Sequence, residues 1–268
     1  MKHLIIFCTI LISALHACRA STIGFAYWDL DALHDTTPSL FHNDSDYTPK
    51  GRLNWSKQRY DDKIQGVASI LDSLKMPIIA IAGVESEEVA RDIVRTTSLG
   101  YNYIHRTLPS LGGLDVALLY FGDILFPESV RVVDGKLHIT GELLNHPCEI
   151  WLIQNGDATQ GVTIDPRSQK LTIVAGNISH FKGQSLKLRD PLHDQERRGY
   201  GNAYSQMGWY LRHRILTSPN IDYHNHGIYI NRRLLDTNYQ PLPTYDNKNY
   251  RGGISRYLPV YIYFDIDN

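Results

Sequence analysis

"PIIAIAGVESEEVARDI", residues 77–93, contains a change of period. Pro77 ends any preceding helix, because it has no amide hydrogen and its ring crowds the turn before it. Residues 78–82 are a continuous apolar run, the pattern of a strand buried on both faces. Helical spacing follows over residues 87–94, and Ser86 is placed to cap that helix. Glu87 and Glu88 fall in its first turn, where the helix dipole favours negative charge, and read as solvent-facing.

The flanking sequence supplies neighbours for this strand and helix. Upstream, Ile64, Val67, Ala68, Leu71 and Leu74 recur at helical spacing within residues 56–74, with Ser56 at the cap position. Residues 22–28 predict a first strand. Residues 29–54 are polar, with Pro38, Pro49 and Gly51, and predict a long loop. Downstream, strands are predicted at 101–105, 114–120, 131–133, 136–140, 149–153, 171–175, 209–216, 227–230 and 257–264. Helices early and strands late point to an α+β sandwich rather than a doubly wound sheet. Tyr27, Trp28, Trp55, Trp151 and Trp209 read as core or core-rim aromatics, and Cys148 as a half-buried strand residue rather than a nucleophile.

The chain has 268 residues, enough for one large domain with a proper core. A formal charge of −1 gives no global pull toward nucleic acid or acidic membranes. The basic pairs Arg197–Arg198, Arg212/Arg214 and Arg232–Arg233 read as solvated strand edges. The first 20 residues read as a secretory signal: Lys2 and His3 precede an apolar run over residues 4–15, then small residues. Cleavage before Cys18, which leaves that cysteine lipidated, competes with cleavage after Ala20. Residues 21–268 form the domain. Without a disulfide framework, export fits a bacterial envelope or periplasmic protein.

Seven stretches in order resemble the endonuclease/exonuclease/phosphatase superfamily, the deoxyribonuclease-I-like fold, and its exported bacterial branch. They are "GFAYWDLDALHDT", "LNWSKQRYDDKIQGVASIL", "PIIAIAGVESEEVARDI", "GGLDVALLY", "LTIVAGNIS", "WYLRHRILTSPNI" and "YRGGISRYLPVYIYF". The resemblance covers nearly the whole chain after the leader. It implies a four-layer α/β/β/α sandwich: two face-packed mixed β-sheets, helices outside, and a site at one end. It also implies phosphodiester hydrolysis with Mg²⁺ or Mn²⁺ on hard oxygen ligands, and a histidine–aspartate pair for acid/base work.

Residue by residue, the implied catalytic set is degenerate. The first-loop asparagines fall on Asp29 and Ala32, and the metal-ligand glutamate on Gly83. Glu85 is retained from the second glutamate of that strand, on Gly83's face if the strand continues, about 6–7 Å further along. Gly-Asp-Phe-Asn has become Gly176-Asn177-Ile178-Ser179, and an Asp-Gln pair has become His213-Arg214. The final Ser-Asp-His has become Ser255-Arg256-Tyr257. A guanidinium about 5 Å from a dication is repelled by roughly 6–7 kcal/mol at an effective dielectric near 20. Tyrosine titrates too high to replace histidine as a neutral-pH base.

These substitutions predict a pseudoenzyme with a binding or scaffolding role, in which Arg256 pairs with Asp29 or Glu85 in place of a metal. Its partner would be a protein or an anion held by Arg256 and His213; a nucleic acid is less favoured by the charge, and a membrane enters only through lipid on Cys18. The competing expectation is an active hydrolase with a rebuilt centre. His224 and His226, an His-x-His pair, are then metal candidates beside Glu85. His193 with Asp194 and Glu196 reads as a solvated loop, His180 as a surface hydrogen bonder, and Asp115 as a turn-supporting hydrogen-bond acceptor.

Overall fold

Strand β1 (Ser21–Leu33) opens the chain and leads through a long loop to α1 (Lys57–Leu74). Then come β2 (Ile78–Val84), α2 (Glu87–Thr96), β3 (Asn102–Arg106) and β4 (Asp115–Tyr120). A meander follows: β5 (Leu125–Val133), β6 (Lys136–Leu143), β7 (His146–Ile153), with β8 (Leu171–Asn177) after a crossover. The short α3 (His193–Arg197) precedes a hairpin of β9 (Ala203–Ser205) and β10 (Gly208–Tyr210). The chain ends through β11 (His213–Thr217), β12 (Asp222–Ile228), a small hairpin of β13 (Tyr245–Asp246) and β14 (Asn249–Tyr250), and β15 (Val260–Ile266). This computed structural model describes residues 21–108, 113–154, 162, 164–165, 167–178 and 187–266. The leader with Cys18, and Ser179 and His180, lie outside the described residues.

Two mixed sheets pack face to face. One runs β12-β15-β1-β2-β4-β3, the other β11-β8-β7-β6-β5. Within them β1 pairs parallel with β2, and β7 parallel with β8; the remaining neighbours are antiparallel. Alternation along each strand sends one set of side chains between the sheets: Phe25, Tyr27, Ile78 and Ala80 meet Ile139, Ile150, Leu152 and Ile215. The opposite set, with Trp28, Ile79 and Ile81, meets α1 and α2 through Ile64, Val67, Leu71, Val89 and Ile93. That is why residues 78–82 are apolar at every position. On the outer face of the second sheet, Trp151, Val174 and Leu216 are covered by Val162, Ile178 and Leu188 from connecting segments. Both predicted caps form: Ser56 accepts from Arg59 N and Ser86 from Val89 N, each at 3.3 Å. Among the described residues, no helix is long and apolar enough to cross a membrane.

Several expected boundaries move for identifiable reasons. β1 runs on to Leu33 through a bulge, where Asp31 (φ 52°) and Ala32 (φ 61°) are left-handed and the register to β2 shifts. The strand expected over 209–216 breaks, because Asn202 Oδ1 takes the amide hydrogens of Arg212 (2.9 Å) and His213 (3.3 Å). The last strand starts at Val260 rather than Tyr257, since Pro259 offers no amide hydrogen. Trp209 is 36% exposed and belongs to the surface, whereas Tyr27, Trp28, Trp55 and Trp151 are buried as expected.

Arg214 also departs from the solvated edge predicted for the basic pairs. It is buried, and its guanidinium reaches Asp190 (2.5 Å), Glu196 (2.6 Å) and the Ile178 carbonyl (2.9 Å). Glu196 of the supposed solvated loop is thus tied into the fold. Arg214→Met is expected to destabilise by about 2–4 kcal/mol, because it leaves the partly buried Asp190 without its cation. Urea unfolding measures that loss.

Candidate functional site

The strand ends β1, β2 and β8 and the beginnings of β11 and β15 meet at one rim of the sandwich. The rim's centre is built on the bulge after Asp29. Lys63, buried on α1, donates to the carbonyls of Asp31 (3.1 Å) and Ala32 (3.2 Å). Burial chiefly pulls its ammonium down to about 8, although Asp31 and Asp29 hold it up. Asp29 Oδ1 accepts the Asp31 amide (2.9 Å), and its Oδ2 lies 3.4 Å from His213 Nε2. Burial alone would raise the Asp29 carboxyl. The His213 contact, the Asp31 amide and the Lys63 charge outweigh it and hold the carboxyl below its ordinary range.

Asn202 settles the state of His213. Its Oδ1 must be the acceptor for two backbone amides, so its Nδ2 donates to the Leu258 carbonyl (3.0 Å) and to His213 Nδ1 (2.9 Å). Nδ1 is therefore unprotonated, and the hydrogen sits on Nε2, facing Asp29. The ring lies 5.2 Å from Tyr27 and edge-on to Tyr257 at 4.8 Å. It is 1% exposed, with Nδ1 taken by Asn202 and Nε2 turned toward Asp29 without a formed hydrogen bond. Burial, then Asp29 and Asp31, push the Tyr257 hydroxyl up to about 12, which excludes it as a neutral-pH base.

The expected Arg256 ion pair forms, with a different partner. Arg256 Nε donates to Asp31 Oδ1 at 2.6 Å and its NH2 to the Tyr245 carbonyl at 3.2 Å. The bulge is what turns Asp31, and not Asp29 or Glu85, toward the last loop; Asp29 is held by His213. Ser255 Oγ ties the same loop to β1 by donating to the Asp29 carbonyl (2.6 Å). Asn177 pairs in register with His213.

Gly83 stands at φ +77°, and a Cβ built there would lie 3.0 Å from Asp29 Oδ1 and 3.2 Å from Ala32 N. The space of the expected ligand is thus filled by the neighbouring strand. Two basic side chains, Lys63 and Arg256, already neutralise the carboxylates and carbonyls around it. These residues do not fit the Mg²⁺ or Mn²⁺ that the resemblance implies.

Glu85 belongs to a separate group. At the end of β2 it comes together with His34, His42 and Asp44, whose candidate ligand atoms all lie within 4.8 Å of one another. The sequence reading identified only Glu85, because the other three lie in an aperiodic loop; two histidines and an aspartate within eleven residues were the available signal. The His-x-His pair is not assembled in this way. A bulge at Tyr223/Asn225 breaks the alternation of β12. His224 faces Asp265 at 3.5 Å, and His226 lies edge-on to Tyr223. Among the described residues, the only group of three or more metal-type ligands is the one at Glu85. Asp115 behaves as expected, accepting the Leu108 amide (2.7 Å). Burial pushes the Cys148 thiol up to about 12, consistent with an inert residue.

Comparison with known proteins agrees with this architecture. A sequence model described as "Endonuclease/Exonuclease/phosphatase family" matches residues 24–146. No curated protein matches the chain. Among solved structures, an endonuclease/exonuclease/phosphatase family protein from Bacteroides thetaiotaomicron aligns with TM-score 0.57 at 11% identity, over 94% of this chain and 97% of that one. D. rerio TDP2 complexed with a single-strand DNA product gives 0.57 at 10% identity, over 92% and 100%. A mannosyl-6-phosphatase from Bacteroides thetaiotaomicron gives 0.53 at 12%, over 90% and 98%.

The Asp29 environment sets an acid limb on stability. A carboxyl held below its ordinary value of 3.8 contributes stability above that pH and loses it as pH falls through the lower folded value. Asp29→Asn is expected to cost about 1–2 kcal/mol at pH 7 and to flatten the stability curve below pH 4. Chemical denaturation across pH measures both.

Proposed function

Since the chain belongs to the endonuclease/exonuclease/phosphatase superfamily, we propose that it is an exported member that no longer performs metal-dependent phosphodiester hydrolysis and that uses its surface for binding. Gly83 carries this reading: the position implied for the metal-ligand carboxylate has no side chain, and its space is taken by Asp29 and the β1 bulge. Lys63 and Arg256 supply positive charge where a dication would have to sit, and His213 is buried away from solvent with Nδ1 held by Asn202. The anion-binding variant draws little support, because Arg256 is paired with Asp31 and His213 is buried. A protein partner is favoured instead. Beside the rim lies a cleft of about 390 Å³ lined by Tyr200, Trp209, Ile230 and Tyr261, where Trp209 and Ile230 are exposed.

Purified protein incubated with DNA or a chromogenic phosphodiester, in Mg²⁺, Mn²⁺ or Zn²⁺, is expected to give no turnover above the uncatalysed background. Chelator-sensitive turnover that is lost in Glu85→Gln would instead establish a rebuilt hydrolytic centre. Gly83→Glu is not expected to restore activity. It forces a side chain onto a left-handed residue and against Asp29, at a cost of about 1–3 kcal/mol in a thermal or urea unfolding assay.

Export rests on the leader, and the lipidated form on Cys18. In a bacterial host fed labelled fatty acid, the chain is expected to carry label that Cys18→Ser abolishes. An unlabelled, processed chain would point to cleavage after Ala20.

A further inference from the structure

The group at Glu85 has the composition and the wiring of a metal site, and it is separate from the inherited pocket. Asp44 and Glu85 are both buried, at 4% and 7% exposure. Among the described residues, neither is ion-paired to a lysine or arginine; the only cationic candidates near Glu85 are His34 and His42. Two carboxylates buried together call for a counter-charge, which a bound cation would supply.

His34 supplies an independent sign. It is 4% exposed, and its Nδ1 has no hydrogen bond, although it lies 3.2 Å from Glu85 Oε1. A buried imidazole nitrogen facing a carboxylate with its bonding capacity unused is open to ligate a metal. His42 Nε2 approaches the same oxygen at 2.9 Å. In a tetrahedral site with bonds of about 2.0–2.1 Å, ligand atoms sit roughly 3.3 Å apart, so both separations suit a shared ion after small adjustments.

Each ligand is also held from behind. His42 Nδ1 contacts Ser39 Oγ at 3.1 Å. The Ser39 amide donates to both Asp44 oxygens, at 3.0 and 3.1 Å. The Asp35 amide donates to Glu85 Oε2 at 2.8 Å, and the His34 ring stacks on Tyr47 at 3.9 Å. Such outer contacts fix ring orientation and tautomer in metal sites. His42 and Glu85 also line a cavity of about 410 Å³, which gives an ion a way in.

We propose that His34, His42, Asp44 and Glu85 bind one divalent transition-metal ion, with zinc as the best-suited probe, and that this ion pins the loop after β1 to the end of β2. Two imidazoles select against Mg²⁺ and Ca²⁺, which prefer all-oxygen shells. Four protein ligands close the coordination sphere, so the ion is structural. The proposal stands on this cluster alone and does not depend on the loss of hydrolysis proposed above.

The test uses tag-free purified chain, stripped with chelator and titrated with ZnCl₂ or CoCl₂. One equivalent of Zn²⁺ is expected to bind and raise the melting temperature, while Mg²⁺ at the same concentration does neither. Co²⁺ is expected to give the intense visible absorption of a tetrahedral site. His34→Gln and His42→Gln should each weaken zinc binding roughly 100-fold or more, and Ser39→Ala about 10-fold, by loss of an outer contact. His138→Gln, a change elsewhere in the second sheet, should leave binding unaltered. Circular dichroism confirms folding of each variant before titration. Absence of stoichiometric binding by wild type, or unchanged binding in the folded His34→Gln/His42→Gln double variant, would overturn the proposal. Zinc binding with turnover would sink the reading of lost hydrolysis and keep this one.

Discussion

Lys63 reaches from α1 to the carbonyls of Asp31 and Ala32, and the geometry of the rim depends on that contact. Two successive left-handed residues other than glycine are costly. They persist here because a buried ammonium takes up the carbonyls that the bulge turns out of the ladder. The kink then directs Asp29 inward to His213 and Asp31 outward to Arg256. With those carboxylates placed, the neighbouring strand has no room for a side chain at Gly83. One cation on a helix therefore organises an ion pair, a carboxylate–imidazole contact and a glycine.

Much of the fold was legible because burial leaves a periodic record. Residues 78–82 are apolar throughout since one face meets the second sheet and the other meets α1 and α2. Caps were legible because Ser56 and Ser86 act locally. The break between β10 and β11 was not, because it depends on Asn202, ten residues before the first amide that it captures. Long-range partners leave no periodic trace in the segment that they interrupt.

The site divides along the same line. The expectation that Gly83, His213, Arg256 and Tyr257 differ from the set that the resemblance implies came from the stretches "IAGVES", "LRHRIL" and "GISRYLP". The partner of Arg256 could not, because it depends on a bulge that no spacing announces. The group of His34, His42, Asp44 and Glu85 was signalled only by the density of ligand-type residues, for a similar reason. Three of its members lie in a loop whose path is set by tertiary contacts, such as the Trp55 Nε1 bond to the His34 carbonyl (2.9 Å). His224 and His226 looked better by spacing, but one bulge in β12 removed their common face.

The sandwich tolerates variety at parts of its rim for a structural reason. Asp31 and Arg256 stand clear of the inter-sheet core, so their identity is not constrained by packing between Phe25, Tyr27, Ile150 and Ile215. What does constrain them is charge. A pocket lined by carboxylates and carbonyls must hold a cation, whether a metal or a side chain, because uncompensated buried anions are strongly unfavourable. At the centre of this rim Lys63 and Arg256 meet that requirement covalently, as part of the chain. At Asp44 and Glu85 no lysine or arginine does so among the described residues, and the proposed ion between them and the two histidines would meet the same requirement. The same electrostatic rule thus gives opposite answers a few residues apart: a sealed pocket at Gly83 and a site suited to a metal at Glu85.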